Sequence, residues 1–234
     1  MIKVPILICV AFWRGDHTQA IELCKIMVGL QSAHAGQTCH VMLICRQDFK
    51  IDPNMVKIVA SKFNVLTYQS QSPLRGWPQG PNGMFGSTMI HIANNFKEKY
   101  ECIYWMEPDA IPICPNWHWA LVQEWRRRHP QALIVGCRST IDGSSQSDHI
   151  TGCALYHPNI ARVMPYLTTS SEVAWDYIHR EKIIASGGST KLIQNRYGQR
   201  NVPAGVIDEP GLVIIHGVKS DCIVKAVRAK YKIA

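Results

Sequence analysis

Apolar residues in this chain come in short unbroken runs, separated by stretches in which they recur every three to four positions. Ile6 to Phe12, His40 to Cys45 and Cys102 to Met106 run with little or no alternation, the pattern of strands buried on both faces. Between the first two runs, Ile21, Leu23, Cys24, Met27, Val28 and Leu30 fall mostly on one broad helical face. Asp16, with Gln19 three residues on, is placed to cap that helix, and it stops near Gly36. Strand, helix, strand in this rhythm predicts a βαβ unit and a parallel sheet. A short helix from Asp52-Pro53-Asn54 to Lys62 leads to a third strand, Asn64 to Tyr68. The stretch Ser72 to Gly83 is dense in Gly and Pro and carries Trp77, so it reads as a shaped loop. A helix from about Met84 to Lys97 returns the chain to the strand ending at Met106.

The second half continues in kind. Pro115-Asn116 opens a helix whose Trp117, Leu121 and Trp125 make a stripe of core contacts. Ala132 to Cys137 and Ile150 to Tyr156 read as strands, the latter pinched at Gly152, with a polar loop from Ser139 to His149 between them. Thr169-Ser170-Ser171-Glu172 has the form of a capping box. It predicts a helix through His179 with Asp176 in the second turn. Gly187-Gly188 breaks the chain, and Leu212 to Ile215 is a last strand, followed by His216-Gly217-Val218-Lys219. The expected fold is α/β: one domain over residues 1–234, with a Rossmann-like, mostly parallel sheet flanked by helices.

Composition narrows the class. The chain has 234 residues, 47% apolar and 18% charged, enough for a real core. Its formal net charge is +8, which favours an anionic partner such as a nucleotide, nucleic acid or phosphorylated sugar. Nine cysteines is an odd count, and none of them forms a C-x-x-C pair. That argues for free thiols in a reducing compartment, the cytoplasm, and against a structural zinc. No run reaches membrane-spanning length, so no membrane partner is expected. The first apolar stretch carries Pro5 and reads as a strand rather than a signal sequence.

Candidate chemistry gathers at strand ends, where parallel sheets place ligands. Glu107-Pro108-Asp109 puts two carboxylates directly after a buried strand. Such oxygen-only ligands either hold a divalent metal or stand as solvated loop acids. Arg14 and Arg46 both follow strand ends, where each either binds a phosphate or stacks on a base, or is a surface arginine at a loop start; Arg75, in the Gly/Pro stretch, is a further ligand-binding candidate. His216 ends the last strand, and Gly217 after it lets the ring turn toward the sheet crevice. His216 with Lys219 forms a candidate metal-and-phosphate pair. Asp176, beside Trp175, is either a solvated helix carboxylate or a general base. Arg126, Arg127, Arg128, Arg138 and the basic tail from Cys222 are candidates for contacting a nucleic-acid backbone. For the first three, complementing a helix dipole is the structural alternative.

Taken in order, these motifs resemble the GT-A class of nucleotide-sugar glycosyltransferases over most of the chain. The resemblance implies a nucleotide-sugar-binding half (1–112) and an acceptor-binding half (113–234). It puts Glu107-Pro108-Asp109 in the place of a D-x-D motif. Asp109 would ligate Mn²⁺ or Mg²⁺ with His216, Glu107 and Lys219 would serve the sugar-nucleotide, and Asp176 would be the base. The first Asp of the motif is Glu here, and Arg46-Gln47-Asp48 stands where an Asp often follows the second strand. The wording Trp-Met-Glu-Pro-Asp-Ala-x-Pro and His-Gly-x-Lys is also similar to phage-encoded glycosyltransferases that act on hydroxymethylated pyrimidines in DNA. A UDP-sugar donor and a DNA acceptor follow from that resemblance. A saccharide, lipid or protein acceptor, a nucleotidyltransferase, and a basic nucleic-acid-binding protein without turnover are the competing readings.

Overall fold

Alternate residues of the first strand feed two separate cores. In β1 (Val4–Ala11), Ile6, Ile8 and Val10 pack into one apolar layer and Leu7, Cys9 and Ala11 into another. The same split runs through β2 (Cys39–Arg46) and β4 (Tyr100–Met106). This is why their sequences show no alternation: neither face meets water. The computed structural model describes residues 3–140, 148–169, 172–197, 199, 202–218 and 221–233.

Among the described residues, seven strands form the main sheet in the order β3-β2-β1-β4-β7-β6-β8. These add β3 (Asn64–Ser70), β6 (Ile134–Ser139), β7 (His149–Tyr156) and β8 (Gly187–Ser189). Every strand but β7 points the same way, because β7 pairs antiparallel with both β4 and β6. A small second sheet joins β5 (Ile111–Pro112), β10 (Ile214–His216) and β9 (Ile193–Asn195). The α/β class with a mostly parallel, helix-flanked sheet is as the apolar pattern predicts.

Helices cover both faces. On one lie α1 (His17–Gly29), α2 (Pro53–Ala60), α4 (Trp117–Arg128) and α8 (Cys222–Tyr231). On the other lie α3 (Gln79–Asn95), α5 (Ile160–Val163), α6 (Trp175–Ile178) and α7 (Arg180–Ser186). Asp52 caps α2 by accepting from the Asn54 N–H at 2.8 Å. The tryptophan stripe of α4 is core: Trp117, Leu121 and Trp125 are buried. No described helix is long and apolar enough to cross a membrane.

Three expectations change. Helix α3 starts at Gln79 rather than Met84, so the last part of the Gly/Pro stretch is helical. Pro81 is tolerated there because the first-turn N–H groups have no partner inside the helix. Asp16 sits at the N-cap of α1 but its side chain makes no capping bond. Asp176 lies in the first turn of the four-residue α6, not the second turn of a longer helix. Ser170 and Ser171 of the capping box, much of the Ser139–His149 loop, and Lys219 lie outside the described residues.

Helix α3 and the segment before α6 touch backbone to backbone at Gly86. A Cβ there would stand 2.9 Å from the Thr168 carbonyl oxygen, and no side chain can move aside to relieve it. Gly86→Ala is therefore expected to cost about 1–3 kcal/mol, lowering the melting temperature by about 3–10 °C. A calorimetric scan in which the variant melts with the wild type would show that the two segments part without cost.

Candidate functional site

β4 delivers two acids to the C-terminal edge of the sheet, and the second sheet brings the histidine to them. After Met106 the chain turns, with the Ala110 N–H donating to the Glu107 carbonyl at 2.9 Å. Residues 111 and 112 then pair antiparallel with Ile215 and Ile214. One residue further in that register, His216 falls beside the turn that carries Glu107 and Asp109. Its Nε2 lies 3.3 Å from Glu107 Oε2 and 3.5 Å from Asp109 Oδ1. Gly217 follows at φ 83°, and a Cβ there would meet the Tyr197 backbone nitrogen at 2.8 Å. Only glycine fits both demands, so the turn that aims His216 depends on it.

One ligand atom from each of Glu107, Asp109 and His216 lies within 4.8 Å of the others. Asp109 is 3% exposed, while the Glu107 side chain is open to the cleft at 43%. Two carboxylates and an imidazole form a donor set suited to a divalent ion such as Mn²⁺. Donors about 2.1 Å from an octahedral ion stand about 3 Å apart, close to the spacings seen here. The residues present fit a metal.

Two connected hollows flank this centre. A cleft of about 230 Å³ is lined by Phe12, Trp13, Trp77, Met84, Trp105, Glu107 and Asp109, among others. Trp13 is also a wall of the neighbouring basin, about 400 Å³, with Arg14, Arg46, Asp48, Phe49 and Arg75. Arg14 and Arg46, placed by β1 and β2, thus line one basin, and Arg75 joins them from the Gly/Pro stretch. Asp48 lies between two of them, 3.2 Å from Arg46 and 3.9 Å from Arg75. Another hollow, about 680 Å³ beside β3, has no carboxylate or imidazole in its lining and offers no comparable chemistry.

Asp176 is held from two directions. Its Oδ2 accepts the Gly152 N–H from β7 at 2.8 Å. Burial pushes its carboxyl above the ordinary aspartate range, and the Glu107 charge adds to this. His149 and the Gly152 N–H pull the other way. Trp175 stacks on Phe85 of α3, with centroids 3.9 Å apart and planes 12° from parallel.

Asn82, inside the Pro-Asn-Gly stretch that reads as loop, is a residue that sequence reasoning passes over. It is 2% exposed, donates to the Val173 carbonyl at 2.9 Å and accepts the Trp175 N–H at 3.1 Å. It pins the start of α6 to the first turn of α3. Asn82→Ala removes the acceptor of the Trp175 N–H and is expected to cost about 1–3 kcal/mol. Urea titration measures this, and an unchanged midpoint would show that water replaces the clamp.

The proposed backbone-contacting arginines are engaged elsewhere. Arg126 pairs with Glu101 at the opposite end of β4, at 2.7 and 2.8 Å. Arg127 and Arg128 pair with Glu124, and Arg138 with Asp148. The tail is a docked helix: Arg228 meets Glu22 of α1 at 2.7 Å and Lys230 meets Asp208 at 2.7 Å. Glu124 within α4 itself, and Glu101, Glu22 and Asp208 from distant segments, neutralise much of what reads as free basic charge.

Comparisons with protein-family models and with curated protein sequences each find no match. Solved structures do match. The glycosyltransferase GlyE of Streptococcus pneumoniae TIGR4 aligns with a TM-score of 0.60 at 9% identity, over 97% of this chain and 61% of its own. The bifunctional glycosyltransferase WbbM aligns at 0.57 and 7%, over 95% of this chain and 49% of its own. Mouse xyloside xylosyltransferase 1 aligns at 0.60 and 9%, over 91% of this chain and 97% of its own. The chain therefore spans about half to three-fifths of the first two and nearly all of the third. At these identities the likeness is one of fold.

Proposed function

We propose that this chain transfers a sugar from a nucleotide-sugar, a UDP-sugar by the sequence resemblance, to an acceptor hydroxyl. The observation that carries this is the convergence of Glu107, Asp109 and His216 on one cleft at the sheet's C-terminal edge. The shared glycosyltransferase fold supports it, as a fold-level analogy. Residues 1–112 would hold the donor and residues 113–234 the acceptor.

Asp109, His216 and Glu107 would hold Mn²⁺ or Mg²⁺, which when bound supplies Lewis-acid neutralisation of the leaving diphosphate. Arg46, the deepest of the three arginines in the basin, binds the nucleotide. Lys219, outside the described residues, is assigned to the diphosphate by the sequence resemblance alone. Asp176 Oδ2 is committed to Gly152, so Oδ1 takes the acceptor's proton. A bond forms between the acceptor oxygen and the anomeric carbon as the bond to the diphosphate breaks, releasing the nucleoside diphosphate. The proposed acceptor is a hydroxymethylated pyrimidine of the kind carried in phage DNA, which has to leave its stack to react. The formal net charge of +8 agrees with a polyanion.

Nucleotide release tests the reading. UDP-sugars are screened with Mn²⁺, with and without hydroxymethylated DNA, beside Asp109→Asn. Release that needs metal, DNA and Asp109 is expected. Release independent of DNA would replace the acceptor, and none with any donor would overturn the transferase.

A further inference from the structure

The rim of the cleft carries two exposed indoles that neither the metal centre nor Asp176 uses. Trp77 is 76% exposed and Trp13 54%, yet both line the cleft that holds Glu107 and Asp109. Large aromatic side chains left in water beside a polar centre mark a contact surface. The backbone under Trp77 is fixed: the Gly80 N–H donates to the Gly76 carbonyl at 2.7 Å and the Asn82 N–H to the Pro78 carbonyl at 3.0 Å.

An arginine lies close in sequence to each indole. Arg14 adjoins Trp13, and Arg75 stands two residues before Trp77 with its side chain 74% exposed. In the basin, three arginines face one carboxylate, Asp48, an excess of two positive charges. Arg46 sits deep, with 14% of its side chain exposed, while Arg14 and Arg75 open outward.

We propose that Trp77 and Trp13, with the outward guanidiniums of Arg14 and Arg75, form a nucleic-acid-binding rim around the site. Bases stack on the indoles, phosphates lie on the guanidiniums, and an unstacked pyrimidine is thereby presented above Glu107 and Asp109. This rests on the DNA-acceptor reading above, relocates its polyanion contacts from the paired arginines of α4 to the cleft itself, and so adds contacts on residues 1–112 to the acceptor half at 113–234. A saccharide also stacks on indoles but has no use for the excess charge. An aromatic platform interleaved with cations is the arrangement that holds single strands.

The test is fluorescence anisotropy of a labelled single-stranded oligonucleotide carrying hydroxymethylated pyrimidines, and of its duplex, without donor and over a salt series. Trp77→Ala is expected to weaken single-strand binding about tenfold with an unchanged salt slope. Trp77→Phe recovers most of that loss. Arg14→Ala with Arg75→Ala lowers the slope of log affinity against log salt by about 1.4. Because these side chains are exposed, the variants keep the wild-type melting temperature, which separates binding from folding. Binding that ignores both sets of changes, or no binding at all, overturns the rim. Binding that follows Trp77 while no donor is ever turned over overturns the transferase and leaves the rim. Transfer to a saccharide without DNA binding does the reverse.

Discussion

Asp109→Asn removes metal-dependent transfer, lowering kcat/KM by about a thousandfold, on the order of 4 kcal/mol of transition-state stabilisation. The side chain keeps its shape and loses only its charge. Of the three donors, Asp109 is the most buried, so water has little room to replace its oxygen. Folding survives, because the substitution also removes one of two neighbouring negative charges. The sharpest readout is thermal. At a metal concentration about a hundred times its Kd, binding stabilises the wild type by about 2.7 kcal/mol, a rise of roughly 5–10 °C for a chain of this size. Asp109→Asn is expected to lose that rise while its metal-free melting temperature stays close to wild type. A variant that keeps both the metal-induced rise and full turnover would remove Asp109 from the centre.

Asp176→Asn lowers kcat by about a hundredfold to ten-thousandfold and leaves donor binding unchanged. Asparagine still offers an oxygen to the Gly152 N–H, so the local backbone holds. The pH dependence carries a definite sign. The folded-state pKa of Asp176 is raised, first by burial and then by the Glu107 charge. Between the ordinary aspartate value and that raised value, the folded protein binds more protons than the unfolded chain. Stability from this group is thus full below the ordinary value and falls as pH rises through the raised one. The variant lacks this loss and is expected to be more stable than wild type at neutral pH. As a base, Asp176 acts only when ionised. The acid limb of kcat/KM in the wild type should therefore lie above the ordinary aspartate range and vanish in the variant. A rate profile indifferent to the substitution, with activity intact, would end the base assignment.

What the residues by themselves determined is local and periodic. Unbroken apolar runs identified β1, β2 and β4 because a strand buried on both faces has no polar side to show. The Trp117, Leu121 and Trp125 stripe identified the core face of α4 in the same way. Arg14 and Arg46 were legible as a pair because parallel strands send their C-terminal ends to one edge. Glu107, Asp109 and His216 were legible as types of ligand at strand ends, with the motif resemblance joining them. Tertiary structure alone decided the rest. The register of β5 against β10 brings His216 within 3.5 Å of acids more than a hundred residues earlier. Asn82 became a clamp because helix formation ran back through Pro81, which a reading of turn residues places in a loop. The charge of Arg126 vanished into Glu101 of β4. Trp77 came to face Glu107 across a cleft. Each of these depends on which distant segments meet, and that is set by the summed packing of both apolar layers rather than by any pattern within one segment.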